Sequence, residues 1–304
     1  MIIKHFFDKT KQPLAIALGF FDSVHIGHRT VINKAINYAK NNGIMSAVLT
    51  FENNPMQVLG KESKLIFSFD ERIKKLEDLG VDIVLKQVFD NNFMNEDKSV
   101  FIDELLSNHN IQFAVCGSDY RFGKGGEGDI NYLKKRFMEQ KIEFCVLDFV
   151  LSEQTKVSSS NIRKMIENGE IKKANQLLIE PFFLKGKVIS GRGEGRRLNL
   201  PTININFQPD KVRPLSGVYI SKTLFDNQSY ISVTSIGAKP TFSDNSENVE
   251  THILDYSGNL YEKDVKIELY DYLRGIEKYR TKEQLINQIN QDIKAVKSFF
   301  NGDD

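Results

Sequence analysis

The sequence predicts two architectures in succession: a doubly wound, mostly parallel α/β sheet, then an antiparallel β-barrel with a helix at its end. Short, continuously apolar runs such as Leu14–Phe20 and Met45–Phe51 alternate with helical periodicity as far as Phe149. That is the pattern of strands buried on both faces beneath crossover helices. After Pro181 the apolar segments become period-2 and are separated by turn residues, as in a barrel. A chain of 304 residues has room for two ordinary domains. The boundary is expected near Pro181, giving domains 1–181 and 182–304.

In chain order, Leu14–Phe20 is the first buried strand. His28–Asn42 follows as a helix with Val31, Ile32, Ala35, Ile36 and Ala39 on one face, and Asn42-Gly43 supplies its C-cap. Met45–Phe51 is a strand, Asp70–Leu79 a helix, Val81–Val88 a strand and Val100–Leu106 a helix. Phe113–Cys116 reads as a strand running into a glycine-rich loop, Gly117 to Gly128. A helix over Ile130–Glu139 and a strand over Ile142–Phe149 complete the alternation. Two short helices, Asn161–Asn168 and Ile171–Ile179, precede the change of character. Strands then follow at Phe183–Ile189, Gly217–Phe225, Ser229–Ile236, Glu250–Tyr256 and Val265–Tyr272. The closing helix runs from Lys282 to Phe300, with Thr281 as N-cap and an apolar stripe through Leu285, Ile286, Ile289, Ile293, Val296 and Phe300. Open parallel sheets bind ligands outside the carboxyl ends of their strands. A site is therefore expected in the loops after Phe20, Phe51 and Cys116.

Lys and Arg number 41 against 40 Asp and Glu, a net charge of +1. This excludes a protein held to nucleic acid by a global basic field. Hydrophobic residues make up 40% of the chain, too many for a disordered sequence. The two cysteines, Cys116 and Cys145, are too few for a disulfide framework or a zinc cluster and suit a reducing compartment. The apolar run Leu14–Phe21 is interrupted by Gly19 and is too short to span a bilayer, and no small-residue cleavage site follows it. The expectation is a cytoplasmic protein with no nucleic-acid or membrane partner.

Gly19-Phe20-Phe21-Asp22-Ser23-Val24-His25-Ile26-Gly27-His28 crosses from a strand into a helix. Gly27 lets a phosphate approach the backbone, and the helix start offers free N–H groups and a positive dipole end. The imidazoles of His25 and His28 can donate hydrogen bonds to a triphosphate and stabilise charge on the α-phosphorus and the departing pyrophosphate. With five histidines in the chain, a chance pair at a surface helix start is the alternative. Zinc lacks a third ligand at suitable spacing. Val157-Ser158-Ser159-Ser160-Asn161-Ile162-Arg163-Lys164 opens another helix. Its hydroxyls, amides and Arg163 suit a phosphate; an ordinary serine N-cap with a solvated Arg-Lys pair reads the same. The loop from Gly117 through Asp119, Tyr120, Arg121, Phe122, Gly123 and Lys124 combines glycine, aromatics and charge. It can stack an aromatic ligand and meet its phosphate, or be a plain flexible loop. It lacks the Gly-Lys-Ser/Thr ending of a P-loop.

A second constellation starts the second domain. Gly191, Gly193 and Gly195 alternate with charged residues and lead through Arg196 to Pro201-Thr202-Ile203-Asn204. Alternate glycines expose backbone N–H groups that can cradle a phosphate. Thr202 and Asn204 share a face of an extended segment, and their neutral oxygens can hold Mg²⁺ together with nucleotide phosphates. A glycine-rich hairpin with solvated arginines is the alternative. Val249-Glu250-Thr251-His252-Ile253 reads as a strand with Glu250 and His252 on one face. Glu250 can take a proton from an attacking hydroxyl, or lie on a solvent-facing edge.

Together these motifs resemble the prokaryotic bifunctional FAD synthetases, which join riboflavin kinase to FMN adenylyltransferase. The first module resembles the family's Rossmann-like nucleotidylyltransferase fold, marked by Gly-x-Phe-Asp-Gly-x-His-x-Gly-His. Gly19, Phe21, Asp22, His25, Gly27 and His28 match it. The Ser-Ser-x-x-Ile-Arg motif falls on Ser159, Ser160, Ile162 and Arg163, and the flavin loop on Gly117, Asp119, Phe122 and Gly123. The second module resembles riboflavin kinase, a six-stranded barrel with a C-terminal helix. Its Pro-Thr-x-Asn signature falls on Pro201, Thr202 and Asn204, which implies Mg²⁺ and ATP binding, and its catalytic glutamate falls on Glu250. Leu273-Arg274 matches the start of a Leu-Arg-x-Glu segment and implies that Arg274 lies near flavin and nucleotide. Ser235 to Phe242 matches a further kinase segment.

The sequence departs from the family pattern at several places. Ser23 replaces glycine, Tyr120 phenylalanine and Ile276 glutamate. Thr50-Phe51-Glu52-Asn53-Asn54-Pro55 stands where the family has Thr-Phe-x-Pro-His-Pro. In the kinase glycine loop, Glu194 replaces arginine and Asn199 replaces glycine. The resemblance implies riboflavin phosphorylation to FMN followed by FMN adenylylation to FAD. At this point two other readings stay open: an enzyme with one module disabled by the departures, and a non-catalytic flavin sensor.

Overall fold

A computed structural model of the chain describes residues 1–152, 155–190, 200–237 and 248–302. Two compact units divide it, Met1–Ser159 and Ser160–Asp304. The first unit runs β1 (Ile2–His5), β2 (Thr10–Leu18), α1 (Ile26–Asn42), β3 (Met45–Phe51), α2 (Pro55–Val58), α3 (Phe69–Asp78), β4 (Ile83–Gln87), α4 (Asn91–Met94), α5 (Lys98–Asn108), β5 (His109–Gly117), α6 (Ile130–Glu139) and β6 (Glu143–Leu147), then a small hairpin of β7 (Leu151–Ser152) and β8 (Thr155–Lys156). The six long strands form a parallel sheet in the order β1-β4-β3-β2-β5-β6.

The sequence of β2 explains why it is central. Leu14, Ile16 and Leu18 face one layer with Phe101, Ile102, Leu105, Leu133 and Phe137 of α5 and α6. Ala15 and Ala17 face the other, against Val31, Ile32, Ala35, Ile36 and Ala39 of α1. Large side chains fill the first layer, and alanines let α1 lie close on the second. From β2 the chain winds one way through β3 and β4 and then the other way into β5 and β6. The order therefore reverses between β2 and β5, and the crevice at such a switch point is where ligands bind. The loops leaving β2 and β5 meet there.

The second unit carries α7 (Ser159–Glu167, opening at the last residue of the first unit), α8 (Ile171–Leu178), β9 (Phe182–Ile189), β10 (Thr202–Asn206), β11 (Gly217–Phe225), β12 (Gln228–Gly237), β13 (Asn248–Ile253), β14 (Asp264–Arg274) and α9 (Lys282–Asn301). Its strands form a closed barrel, β10-β13-β12-β11-β14-β9, antiparallel throughout. Strand-like segments begin where the composition shifts, near Pro181, but the compact units divide earlier. The reason is local: Asn175 of α8 donates through Nδ2 to Leu269 O at 2.8 Å and accepts from Phe182 N–H at 2.7 Å, and Ile166 O accepts from Leu215 N–H at 3.2 Å. No helix among the described residues is long and apolar enough to cross a membrane.

The barrel interior holds a chain of hydroxyls, all fully buried. Ser221 Oγ contacts Ser232 Oγ at 2.9 Å and Thr234 Oγ1 at 2.8 Å, Thr223 Oγ1 donates to Ser232 Oγ, and Thr234 Oγ1 contacts Thr251 Oγ1 at 2.9 Å. Each hydroxyl satisfies the next, so the polar row costs little. Thr234→Val interrupts it between Ser221 and Thr251 without changing side-chain shape. The expected outcome is a loss of about 1–3 kcal/mol, read as a lower urea midpoint and faster amide exchange in β11 and β12.

Candidate active sites

The first site forms where β2 passes into α1. His25 is the N-cap of α1, and its Nδ1 accepts the backbone N–H of His28 at 3.1 Å. An accepting Nδ1 puts the imidazole proton on Nε2. The His25 and His28 rings stack with centroids 3.6 Å apart and an 18° interplanar angle, and Phe21 meets His28 edge-on at 5.4 Å. Burial pushes the His25 pKa down to about 4, against smaller upward pulls from its backbone hydrogen bond and from Asp119. Burial, then His25 and Arg72, hold His28 well below the usual imidazole range. Both rings are therefore neutral at pH 7.

The loop is shaped for this stack. A Cβ on Gly19 would lie 2.7 Å from the Phe21 ring, and one on Gly27 would lie 3.1 Å from His25 Cε1. Phe21 and Val24 take left-handed backbone, φ 52° and 45°, which is costly for a β-branched valine. A fully buried Val24 side chain and an Arg29 Nε–H bond to Val24 O at 3.1 Å hold it there. Asp22 Oδ1 accepts Ile66 N–H at 3.1 Å. Ser23, where the family has glycine, contacts Ser159 Oγ at 3.0 Å through its hydroxyl. This brings the Ser159 hydroxyl to the loop that precedes His25. Ser160 and Arg163 follow in α7.

The loop after β5 carries the expected flavin residues. Asp119 pairs with Lys156 Nζ at 2.8 Å, and that ammonium lies 3.4 Å from the Phe149 ring centroid. Phe122 is 8% exposed and packs in the core against Phe101, Tyr120 and Tyr132. It anchors the loop from within. Gly123 is required where it stands: its φ is 70°, and a Cβ would lie 2.8 Å from Lys98 Cα. Gly117 would place a Cβ 3.2 Å from Asp119 Oδ1.

The second site lies on β10 and β13. The register pairs Asn204 with Glu250 and Thr202 with His252. Thr202 Oγ1 donates to Glu250 Oε1 at 2.7 Å, and His252 Nδ1 lies 2.8 Å from Pro201 O. Asn204 is 6% exposed. Thr202 and Asn204 line a pocket of roughly 200 Å³ with Val188, Thr251, Tyr256 and Leu260. Gly191, Gly193, Gly195 and Arg196 lie outside the described residues, as do Glu194, Asn199 and the segment after Gly237. Arg274 donates from Nε and Nη2 to Asp292 of α9, at 2.9 and 2.6 Å, and from Nη1 to Gly275 O. Asp292 is 4% exposed, so the guanidinium is braced by the C-terminal helix. Ile276 has its Cδ1 2.8 Å from where a Cβ on Gly237 would stand.

Residues 7–161 match the FAD synthetase family and residues 178–300 the riboflavin kinase family. The chain belongs to the bifunctional riboflavin kinase/FMN adenylyltransferase family. It is 36% identical to the protein of that name from Listeria monocytogenes over 289 residues, covering 94% of this chain and 92% of that one. It is 32% identical to the Bacillus subtilis protein of the same name, over 97% of this chain and 95% of that one. A crystal structure titled macrolide-efflux protein, from Streptococcus pneumoniae, superposes with a TM-score of 0.89 at 26% identity, over 98% of this chain and 99% of that one. Both modules are thus present in order. The parallel sheet and closed six-stranded barrel agree with the fold that the sequence predicts.

Sequence reading missed three residues at these sites. Lys156 and Asp292 carry no signal in isolation, because each depends on a partner far along the chain. Arg72 sits in a run that reads as a solvated helix face, yet the spacing Phe69, Arg72, Leu76 places it on the buried side of α3. The His25 environment gives a test. An unfolded imidazole takes up its proton near 6.5, the folded His25 near 4. The folded unit therefore loses stability as pH falls from 6.5 towards 4. NMR titration of the His25 ring is expected to show its midpoint near 4, with an acid-side loss of stability over the same window.

Proposed function

We propose that residues 182–304 transfer the γ-phosphoryl group of ATP to the ribityl 5′-hydroxyl of riboflavin, and that residues 1–181 then join FMN to the AMP part of a second ATP. The family's paired activities support the two reactions. The observation that carries the residue roles is that each family match contains its own polar constellation: stacked neutral imidazoles at a helix N-terminus in one, a hydroxyl-bonded glutamate on a barrel strand in the other.

In the kinase reaction Glu250 takes the proton of the 5′-hydroxyl as its oxygen attacks the γ-phosphorus and ADP departs. Thr202 donates its O–H in a hydrogen bond to Glu250, leaving the lone pairs of its oxygen for a cation. With the neutral Asn204 amide this donor set fits Mg²⁺, which keeps most of its shell as water and phosphate. When bound, Mg²⁺ supplies neutralisation of phosphate charge. Gly191, Gly193, Gly195 and Arg196 are assigned to the nucleotide phosphates, and Arg274, held in orientation by Asp292, to the flavin.

In the adenylyl transfer a phosphate oxygen of FMN attacks the α-phosphorus, and pyrophosphate leaves. His25 Nε2–H, His28, the N–H groups opening α1 and Arg163 stabilise the charge that develops. Gly19, Phe21, Asp22 and Gly27 shape that loop, Ser159 and Ser160 contribute hydroxyls, and Gly117, Asp119, Phe122 and Gly123 form the flavin side. The buried thiol of Cys116 and the half-buried one of Cys145 are free, which supports a reducing cytoplasm, and the protein is taken to act as a monomer or weak homo-oligomer.

The roles separate by substitution. His28→Ala is expected to lower FAD formation about 10²–10³-fold while FMN formation from riboflavin is retained. Glu250→Gln is expected to lower FMN formation about 10²–10⁴-fold while FAD is still made from added FMN. Chromatography of the flavin products decides both; equal loss of both reactions in either folded variant sinks the assignment.

A further inference from the structure

Arg72 is among the largest fully buried side chains of the protein, at 1% exposure. Its guanidinium reaches two strand ends at once. Nη1 donates to Phe20 O at 3.1 Å and Thr50 Oγ1 at 2.9 Å, and Nη2 donates to Phe51 O at 2.7 Å and Glu52 O at 3.4 Å. Thr50 Oγ1 in turn donates to Phe20 O at 2.7 Å. The Phe20 and Phe69 rings lie 4.8 and 5.5 Å from Cζ. Burying a guanidinium costs several kcal/mol unless hydrogen bonds and charge compensate it. Here the compensation comes from backbone carbonyls, with Asp22 as the charged neighbour.

We propose that Arg72 is a positioning residue for adenylyl transfer: its planar fork ties the end of β2 to the end of β3 and makes the loops that follow them a single wall of the ATP site. Phe20 O belongs to the loop that ends at His25, the N-cap of α1. Phe51 O and Glu52 O belong to the loop that carries Asn53 and Asn54. The hydrogen bonds of Arg72 all go to these two loops and to Thr50, and none among the described residues goes to the Gly117–Gly128 loop on the flavin side. Loss of the fork is thus expected to affect ATP more than FMN. A lysine keeps the charge but cannot span both carbonyls.

The inference rests on the adenylyl-transfer reading, and its test uses the full chain with kinase activity as an internal measure of folded protein. For Arg72→Lys, kcat/KM for ATP in FAD formation is expected to fall about 100-fold, with KM for ATP raised and KM for FMN unchanged. Thr50→Val, which keeps Arg72 and removes the hydroxyl between it and Phe20 O, is expected to move KM for ATP the same way by a smaller factor. A merely structural role would reduce the active fraction and leave both KM values alone, and that result in the two variants overturns the proposal. Wild-type chain that makes FMN but no FAD overturns the underlying reading instead, and the inference with it.

Discussion

Two imidazole rings stacked 3.6 Å apart cannot both be charged. At an effective dielectric of about 20, two unit charges at that distance repel by about 5 kcal/mol. The guanidinium of Arg72 adds to this, and burial opposes protonation of either ring. The first site is therefore built on neutral rings. A neutral imidazole still donates one strong hydrogen bond, and the cap bond from His28 N–H to His25 Nδ1 decides which nitrogen does so. Positive character reaches the site from the N-terminus of α1 and from the Arg72 guanidinium, and the helix end supplies fixed dipoles that would need no rearrangement in the proposed phosphate chemistry. The close approach of Phe21 to Gly19, the glycine at 27 and the left-handed Phe21 and Val24 shape the backbone that holds these rings at that helix end.

The second site answers a different chemical demand. Activating a hydroxyl, the role proposed for Glu250, needs an anionic acceptor, and this carboxylate stands on a strand locked into a closed barrel. Antiparallel pairing on both sides of β13 fixes Glu250 opposite Asn204 and Ser235. The hydroxyl of Thr202 then orients the carboxylate. On the same strand, Thr251 joins the buried hydroxyl row, so the strand bearing Glu250 is tied from within by hydrogen bonds that need one geometry. On the proposed roles, sheet and barrel contribute one element each: the sheet a helix terminus suited to anions, the barrel a rigid strand for a base.

Much of this was readable in the residue pattern because it depends on local periodicity. Met45–Phe51, Ile130–Glu139 and Gly217–Phe225 coincide with β3, α6 and β11, since each is bounded by glycine, an N-cap or a turn. Strand β1 escaped notice because its isoleucines are exposed on an edge of the sheet, 49% and 45%, and so show no burial pattern. Thr202–Asn206 was legible as extended chain but not as the strand β10, which takes its identity from β13 and β9. The site motifs were legible as short words. What joins them was not: the Ser23–Ser159 contact, the Lys156–Asp119 pair and the Arg274–Asp292 fork all link residues far apart in the chain, and a single sequence contains no record of such pairing. Phe122 shows the converse, a motif residue whose ring is spent on the core.

The departures from the family pattern gain a physical meaning from the same contacts. Asn53 exchanges two hydrogen bonds with the backbone of Phe89, at 2.8 Å each. Asn54 caps α2 by accepting Met56 N–H and donates to Ser63 O. Both amides are engaged within the chain and organise the loop after β3, where the family pattern has proline and histidine. A proline stiffens a loop by fixing φ, and Asn53 achieves a comparable restraint through paired hydrogen bonds. The imidazole replaced by Asn54 has no counterpart in charge or reach. In the proposed adenylyl transfer, stabilisation of the departing phosphate accordingly falls to His25, His28, Arg163 and the α1 terminus, while the two asparagines and the Arg72 fork restrain the β3 loop.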